Sequence, residues 1–320
     1  MSSINNNRII PLTCSGHTRP VVDLHFSPIT EDGKCYLISA CKDGNPMLRD
    51  GITGDWIGTF QGHKGAVWSA RLSRDAQKAV TGSADFTAKV WNTETGDEIH
   101  SFEHKHIVRA VTFNDDATKM VTGGQEQVLR IFDLYRPDSP ALELMGHEGT
   151  IRAIVWDEAR HAVMSAGEDA VVRIWDLRTM REGGMIKSET AIPTMTMSVD
   201  GEYISWAAGK TANFWKLGSS FDDVKTIHTK ESLTSVSIHP NHQQFVAGIE
   251  EKLWVHIYDF NTGEVVDVSK GHHGPVHTVS YSPDGKIYAS GSEDGTIRLW
   301  QTDPTKSYGL WQKNKQQQQV

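Results

Sequence analysis

The chain has 320 residues, 38% of them hydrophobic and 22% charged, and these soluble-protein proportions exclude a disordered, collagen-like or membrane-embedded chain for most of its length. Its 32 Lys and Arg against 40 Asp and Glu leave a net charge of −8, which excludes the global electrostatic footprint of a nucleic-acid binder. Ten Trp and 28 Gly beside 7 Tyr indicate that a unit containing Trp and Gly recurs.

In chain order, residues 1–7 carry no apolar run of the secretory type and are expected to precede the folded part. Cys14, Cys35 and Cys41 are odd in number and form no C-x-x-C pair, so reduced thiols in a cytoplasmic or nuclear protein are expected. Gly16-His17 then opens a first unit that runs through Asp43-Gly44 to Leu48-Arg49-Asp50. Gly62-His63 leads to Ser83-Ala84-Asp85 and Val90-Trp91-Asn92, and His104 to Glu126 and Ile131-Phe132-Asp133. Gly146-His147 leads to Gly167-Glu168-Asp169 and Ile174-Trp175-Asp176. Fainter units end at Phe214-Trp215 and Ile257-Tyr258-Asp259, and the clearest runs from Gly271-His272 to Ile297-Arg298-Leu299-Trp300.

The Trp-equivalent positions are 49, 91, 132, 175, 215, 258 and 300, spaced by 42, 41, 43, 40, 43 and 42 residues. Seven such units match the blades of a WD40-type β-propeller, an all-β fold. The reading places the propeller at residues 8–301, with blade cores ending near 50, 92, 133, 176, 216, 259 and 301, and a tail at 302–320. In the second unit, strands are expected at 68–72, 78–81, 88–91 and 99–102, separated by turn residues such as Arg74-Asp75 and Gly96-Asp97. Arg8-Ile9-Ile10-Pro11-Leu12-Thr13 stands where each later unit places its last strand, and so is expected to close the seventh blade.

His, hydroxyl and Asp residues recur as His63, Thr81, Asp85 and Trp91, as His147, Ser165, Asp169 and Trp175, and as His272, Ser290, Asp294 and Trp300. A catalytic triad needs one nucleophile in one cleft. A set repeated at one register reads instead as a structural hydrogen-bond relay. No P-loop, G-x-S-x-G, H-E-x-x-H or dinucleotide fingerprint occurs, so the sequence names neither enzyme nor cofactor. His104-x-His106 and His272-His273 read as loop histidines rather than metal ligands.

What varies between units speaks to binding. The fifth residue after the repeat His is Val22, Trp68, Arg109, Arg152, Pro193, Thr234 and His277, expected near the top of the central channel. The position before the turn acid adds Lys42, Ala84, Gln125 and Glu168. Trp68, Arg109 and Arg152, with Lys42 and His277, are candidates for an aromatic and basic patch that takes a protein partner. The Arg pair suits an acidic peptide segment or a phosphate, the alternative being solvated side chains paired with neighbouring carboxylates. Units five and six depart from the pattern, with Ser188 and Thr229 for the His and Gly209 for the turn acid. In the tail, Tyr308-Gly309-Leu310-Trp311 is expected to pack back or, through Trp311, to anchor a partner.

The stretches Pro11-Leu12-Thr13-Cys14-Ser15-Gly16-His17-Thr18-Arg19-Pro20-Val21-Val22, Leu37-Ile38-Ser39-Ala40-Cys41-Lys42-Asp43-Gly44, Thr53-Gly54-Asp55-Trp56-Ile57-Gly58-Thr59-Phe60 and Ala84-Asp85-Phe86-Thr87-Ala88-Lys89-Val90-Trp91, with the ending Tyr308 to Trp311, go beyond a generic repeat. They resemble the family of the serine-threonine kinase receptor-associated protein, also called the Unr-interacting protein. That resemblance implies a non-enzymatic adaptor in the survival-of-motor-neuron complex, assisting Sm-core assembly on spliceosomal small nuclear RNAs and hence mRNA splicing. The implied partners are Gemin-type components, an Unr-like RNA-binding protein, or transforming-growth-factor-β-type receptor kinases whose signal it damps. A monomer within a larger complex, in cytoplasm and nucleus, without direct nucleic-acid or membrane contact, is expected. Subunit i of translation initiation factor three is the alternative scaffold of similar type.

Overall fold

Each unit opens with an apolar alternating segment, and each such segment becomes the inner strand of a four-stranded antiparallel sheet. The computed structural model describes residues 10–303 and 305, and among these there are seven such sheets and no helix. In the second blade the strands are Val67–Leu72, Lys78–Ser83, Thr87–Asn92 and Glu98–Glu103, each containing the segment expected from sequence and extending it by one or two residues. Burial falls from the axis outward. The second strand of blade four, Ala162–Gly167, is buried at every position, whereas the outer strand Glu98–Glu103 buries only Phe102. A strand covered on both faces reads as a continuous small and apolar run, and an outer one keeps a wet face.

The inner strands pack on one another around a closed ring, and the last, Val276–Tyr281, meets the first, Val21–Phe26. Side chains satisfy much of the backbone along these inner edges. Thr234 Oγ1 donates to the Val276 carbonyl at 2.7 Å, Ser237 Oγ accepts from the Tyr281 amide at 3.1 Å, and His25 Nδ1 accepts from the Leu72 amide at 3.4 Å. Between blades lie apolar clusters, such as Val80, Val90 and Phe102 against Val108, Met120 and Phe132. Full burial of each large apolar side chain contributes about 1.5–3 kcal/mol.

Closure is by the strand Leu12–Cys14, which pairs antiparallel with Ile297–Gln301 in the register Leu12↔Leu299, Thr13↔Arg298 and Cys14↔Ile297. It begins later than expected because Pro11 has no N–H to give to a ladder. Arg8 and Ile9 of the expected strand lie outside the described residues. Leu12 and Cys14 then join Leu299 and Leu37 in one cluster across the seam. Arg49, which stands where Trp recurs elsewhere, is buried and reinforces this junction. It donates to the Gly54 carbonyl at 3.1 Å and to the Ser15 carbonyl just past the closing strand.

Candidate functional site

The recurrent His, hydroxyl, Asp and Trp residues meet within each regular blade. In blade two His63 lies 2.8 Å through Nδ1 from Asp85 and 2.6 Å through Nε2 from Thr81 Oγ1, which accepts from Trp91 Nε1 at 2.8 Å. A carboxylate only accepts, so Nδ1 carries the proton and the hydroxyl donates to Nε2. The direction of donation therefore runs Trp to Thr to His to Asp. Blade four repeats it at 2.7, 2.6 and 2.8 Å, and blade seven at 3.2, 2.7 and 2.8 Å. Gly62 precedes His63 at φ 154°, and a Cβ there would press on Trp91 at 3.1 Å, so the relay needs glycine beside it.

Charge in the relay is set by burial and donors together. Burial raises the pKa of Asp294, but the His273 and Thr296 donors outweigh it and hold it at about 2. Burial likewise opposes, and the His17 and Asn45 donors overcome, in Asp43, also at about 2. Burial pushes His272 down to about 4, against the pull of Asp294. Ser290, the hydroxyl in that set, is 0% exposed and already accepts from Trp300. No substrate reaches such an oxygen, so this arrangement ties strands together.

The candidate binding residues are set by a different local device. In six blades the inner strand carries a β-bulge at the fifth residue after the repeat His position, at 22, 68, 109, 152, 234 and 277. A bulge leaves its extra residue unpaired and re-aims its side chain. In blades three and four the partner strand offers glycine at the bulge. A Cβ on Gly124 would lie 2.1 Å from the Ile107 carbonyl oxygen, and one on Gly167 2.0 Å from that of Thr150. These two close approaches carry Arg109 and Arg152.

Lys42, Trp68, Arg109, Arg152 and His277 form one arc at the channel mouth across blades seven, one, two, three and four. The Arg109 guanidinium lies over the Trp68 ring at 3.7 Å, and Lys42 Nζ stands 5.6 Å from the same ring. Such stacking contributes about 0.5–2 kcal/mol. Arg152 places Nε at 3.0 Å and Nη2 at 2.6 Å from Glu168 Oε1. Glu293 takes His277 at 2.6 Å and Lys42 at 3.8 Å. Burial lowers the Arg109 pKa and the neighbouring Arg152 lowers it further, while Glu168 opposes. Glu293 stands outside the candidate binding residues named from the sequence, although the position before the turn acid, followed into the seventh unit, leads to it. Trp311 and the rest of 306–320 lie outside the described residues.

Blades five and six build their turns differently. Blade five has two residues between Tyr203–Ala208 and Thr211–Lys216, and blade six has four between Gln244–Ile249 and Trp254–Asp259. Thr229 Oγ1 donates to carbonyls of Lys210 and Glu231, and Trp215 Nε1 to the Ser220 carbonyl instead of a strand hydroxyl. Pro193 sits ahead of the short strand Met195–Met197 and contributes no charge to the mouth. Beside blade five, Trp215, Leu217, Met164 and Phe221 wall a groove of about 340 Å³. His17, Cys41 and Asp43 bring potential metal donors within 4.8 Å, but His17 Nδ1 is bonded to Asp43 and the Cys41 thiol to the Arg19 carbonyl. Burial pushes that thiol up to about 12.

The class of protein this fold and mouth define is a WD40-repeat propeller, a scaffold for protein–protein contact. The chain matches the family described as WD domain, G-beta repeat, over residues 54–92, 96–133, 138–176 and 263–301. These segments start with a blade's outer strand and finish in the next blade, the one-strand offset that ring closure requires. The chain belongs to the family of the serine-threonine kinase receptor-associated protein. It is 49% identical to the human protein of that name over 305 residues, 95% of this chain and 86% of that one. It is 48% identical to its namesake in Dictyostelium discoideum over 292 residues, 91% of this chain and 98% of that one. Subunit I of eukaryotic translation initiation factor 3 from Culex quinquefasciatus is similar at 27% over 321 residues, 90% of this chain and 95% of that one.

Proposed function

We propose that this protein is a non-enzymatic adaptor of the survival-of-motor-neuron complex that assists Sm-core assembly on spliceosomal small nuclear RNAs, working in cytoplasm and nucleus. The observation that carries the reading is the 49% identity, sustained over 95% of the chain, to the serine-threonine kinase receptor-associated protein. The relay hydroxyls are sealed from solvent, which supports a role without catalysis, and the −8 net charge supports reaching RNA through other proteins. It acts as a monomer inside a larger assembly and needs no cofactor. Affinity purification of the tagged chain from its source cells tests this. Recovery of Sm and Gemin-type proteins is the expected result, and recovery of initiation-factor subunits alone overturns it.

A second reading, association with a serine-threonine kinase receptor, is favoured by the relatives' name. It predicts a membrane receptor kinase in the same purification. The initiation-factor reading rests on 27% identity and ranks last.

A further inference from the structure

Along the arc from blade seven to blade four the charges are unevenly matched, Glu250 standing apart in blade six. There Lys42, Arg109 and Arg152 bring three cations and Glu168 and Glu293 two carboxylates, and the sharing leaves one cation over. Arg152 holds Glu168 through two nitrogens, and Lys42 shares Glu293 with His277. Arg109 has no carboxylate within 4.0 Å and no side-chain hydrogen-bond acceptor among the described residues. Its Nε is sealed without a partner, and so is the Trp68 indole Nε1 beneath it. A guanidinium lying flat on an indole is held in orientation by the ring while its planar edge keeps a fork of donors for a carboxylate. The bulge at Arg109, with Gly124 opposite, fixes the backbone from which this group is presented.

We propose that the mouth between blades one and four is a docking site for an acidic segment of a partner protein, with an Asp or Glu carboxylate seated on the Arg109 fork and the segment's neighbouring atoms lying against Trp68. This deepens the adaptor reading and rests on it. The flanking carboxylates decide the ligand class. Glu168 acts directly on Arg109 and Glu293 lies beyond Lys42 along the arc, and a nucleic-acid backbone, whose phosphates are part of the chain itself, would press against both. A peptide carries its carboxylates on flexible side chains that alternate in direction, so one seats on the fork while its neighbours turn away. Residues 304–320 hold Lys306, Lys313 and Lys315 and no Asp or Glu, so they supply no acidic side chain to the fork.

The test uses fluorescence anisotropy on the full chain with three labelled probes: an oligoglutamate peptide, an oligolysine peptide and a single-stranded RNA oligonucleotide. Oligoglutamate is expected to bind, with affinity falling as salt rises, and the other two to fail. Arg109→Ala should weaken oligoglutamate binding about tenfold or more, as expected for loss of a charge-assisted pair. Arg109→Lys keeps the charge but loses the fork and the stack, so it should recover only part of the loss. Equal thermal melts of the variants and the parent chain would show that folding is intact. Preferential binding of RNA, or oligoglutamate binding indifferent to both substitutions, overturns the proposal. Recovery of assembly partners from cells alongside a failed oligoglutamate titration would sink this site and leave the adaptor reading standing. An empty purification with a successful titration would do the reverse.

Discussion

Thr81→Val tests whether the relay is a continuous chain of donors. Valine keeps the shape of threonine, so no cavity term enters. The substitution removes an oxygen that accepts from Trp91 Nε1 at 2.8 Å and donates to His63 Nε2 at 2.6 Å, at a residue with 0% exposure. Two buried groups lose their partner, each at about 1–3 kcal/mol, giving about 2–6 kcal/mol in all. Blade three supplies the internal control. There Phe132 replaces the Trp, and Thr122 Oγ1 serves only His104 Nε2, at 2.8 Å. Thr122→Val therefore orphans one group and should cost about 1–3 kcal/mol. Thr81→Ser, which retains the hydroxyl, should cost about 1 kcal/mol. Urea unfolding reads all three as midpoint shifts at constant slope. Equal costs for Thr81→Val and Thr122→Val, or a Thr81→Val cost below that of Thr81→Ser, would refute the donor chain.

Gly167→Ala should destabilise by about 1–3 kcal/mol and weaken oligoglutamate binding, because its Cβ would meet the Thr150 carbonyl at 2.0 Å and push the bulge that bears Arg152. Gly58→Ala, with nothing within 4 Å, should change the melt by less than about 0.5 kcal/mol. Stability should also fall with acid in two stages. His272 titrates at about 4 when folded and 6.5 otherwise, so the unfolded chain binds more protons and stability fades from pH 6.5 toward 4, by about 3 kcal/mol. The depressed carboxyls of Asp43 and Asp294 contribute stability above their ordinary value of 3.8 and lose it as pH falls toward 2, and urea midpoints at a series of pH values check both stages. Deleting residues 1–14 removes the closing strand and bares the edge of Ile297–Gln301, so size-exclusion chromatography should report association of the shortened chain.

The period, the Trp anchors and the ring closure were legible in the sequence because they repeat, and repetition separates a structural requirement from chance. Thr81 and Ser165 were readable as relay members for that reason alone. The mouth was legible only as a set of candidates. Fixed register brought Trp68, Arg109 and Arg152 to one end of the inner strands, but their pairing follows from three-dimensional neighbours. Nothing in the sequence says that Arg152 finds Glu168 twice over while Arg109 stacks on Trp68 and finds no carboxylate. The bulges were invisible too, since an inserted residue leaves the apolar alternation around it nearly intact. Pro11 delayed the closing strand through a missing N–H that an outer-strand pattern does not reveal. Arg49, marked in the sequence only as the residue at a Trp-equivalent position, proves to be an anchor of its own, holding the carbonyls of Gly54 and Ser15 beside the closing strand.

The most direct test of the account is a paired affinity purification of the parent chain and the double variant Arg109→Glu, Arg152→Glu from the same cells, with thermal melts of both. The account predicts nearly equal melting temperatures and a marked loss of copurifying partners from the variant. Undiminished partner recovery by a folded variant would contradict it.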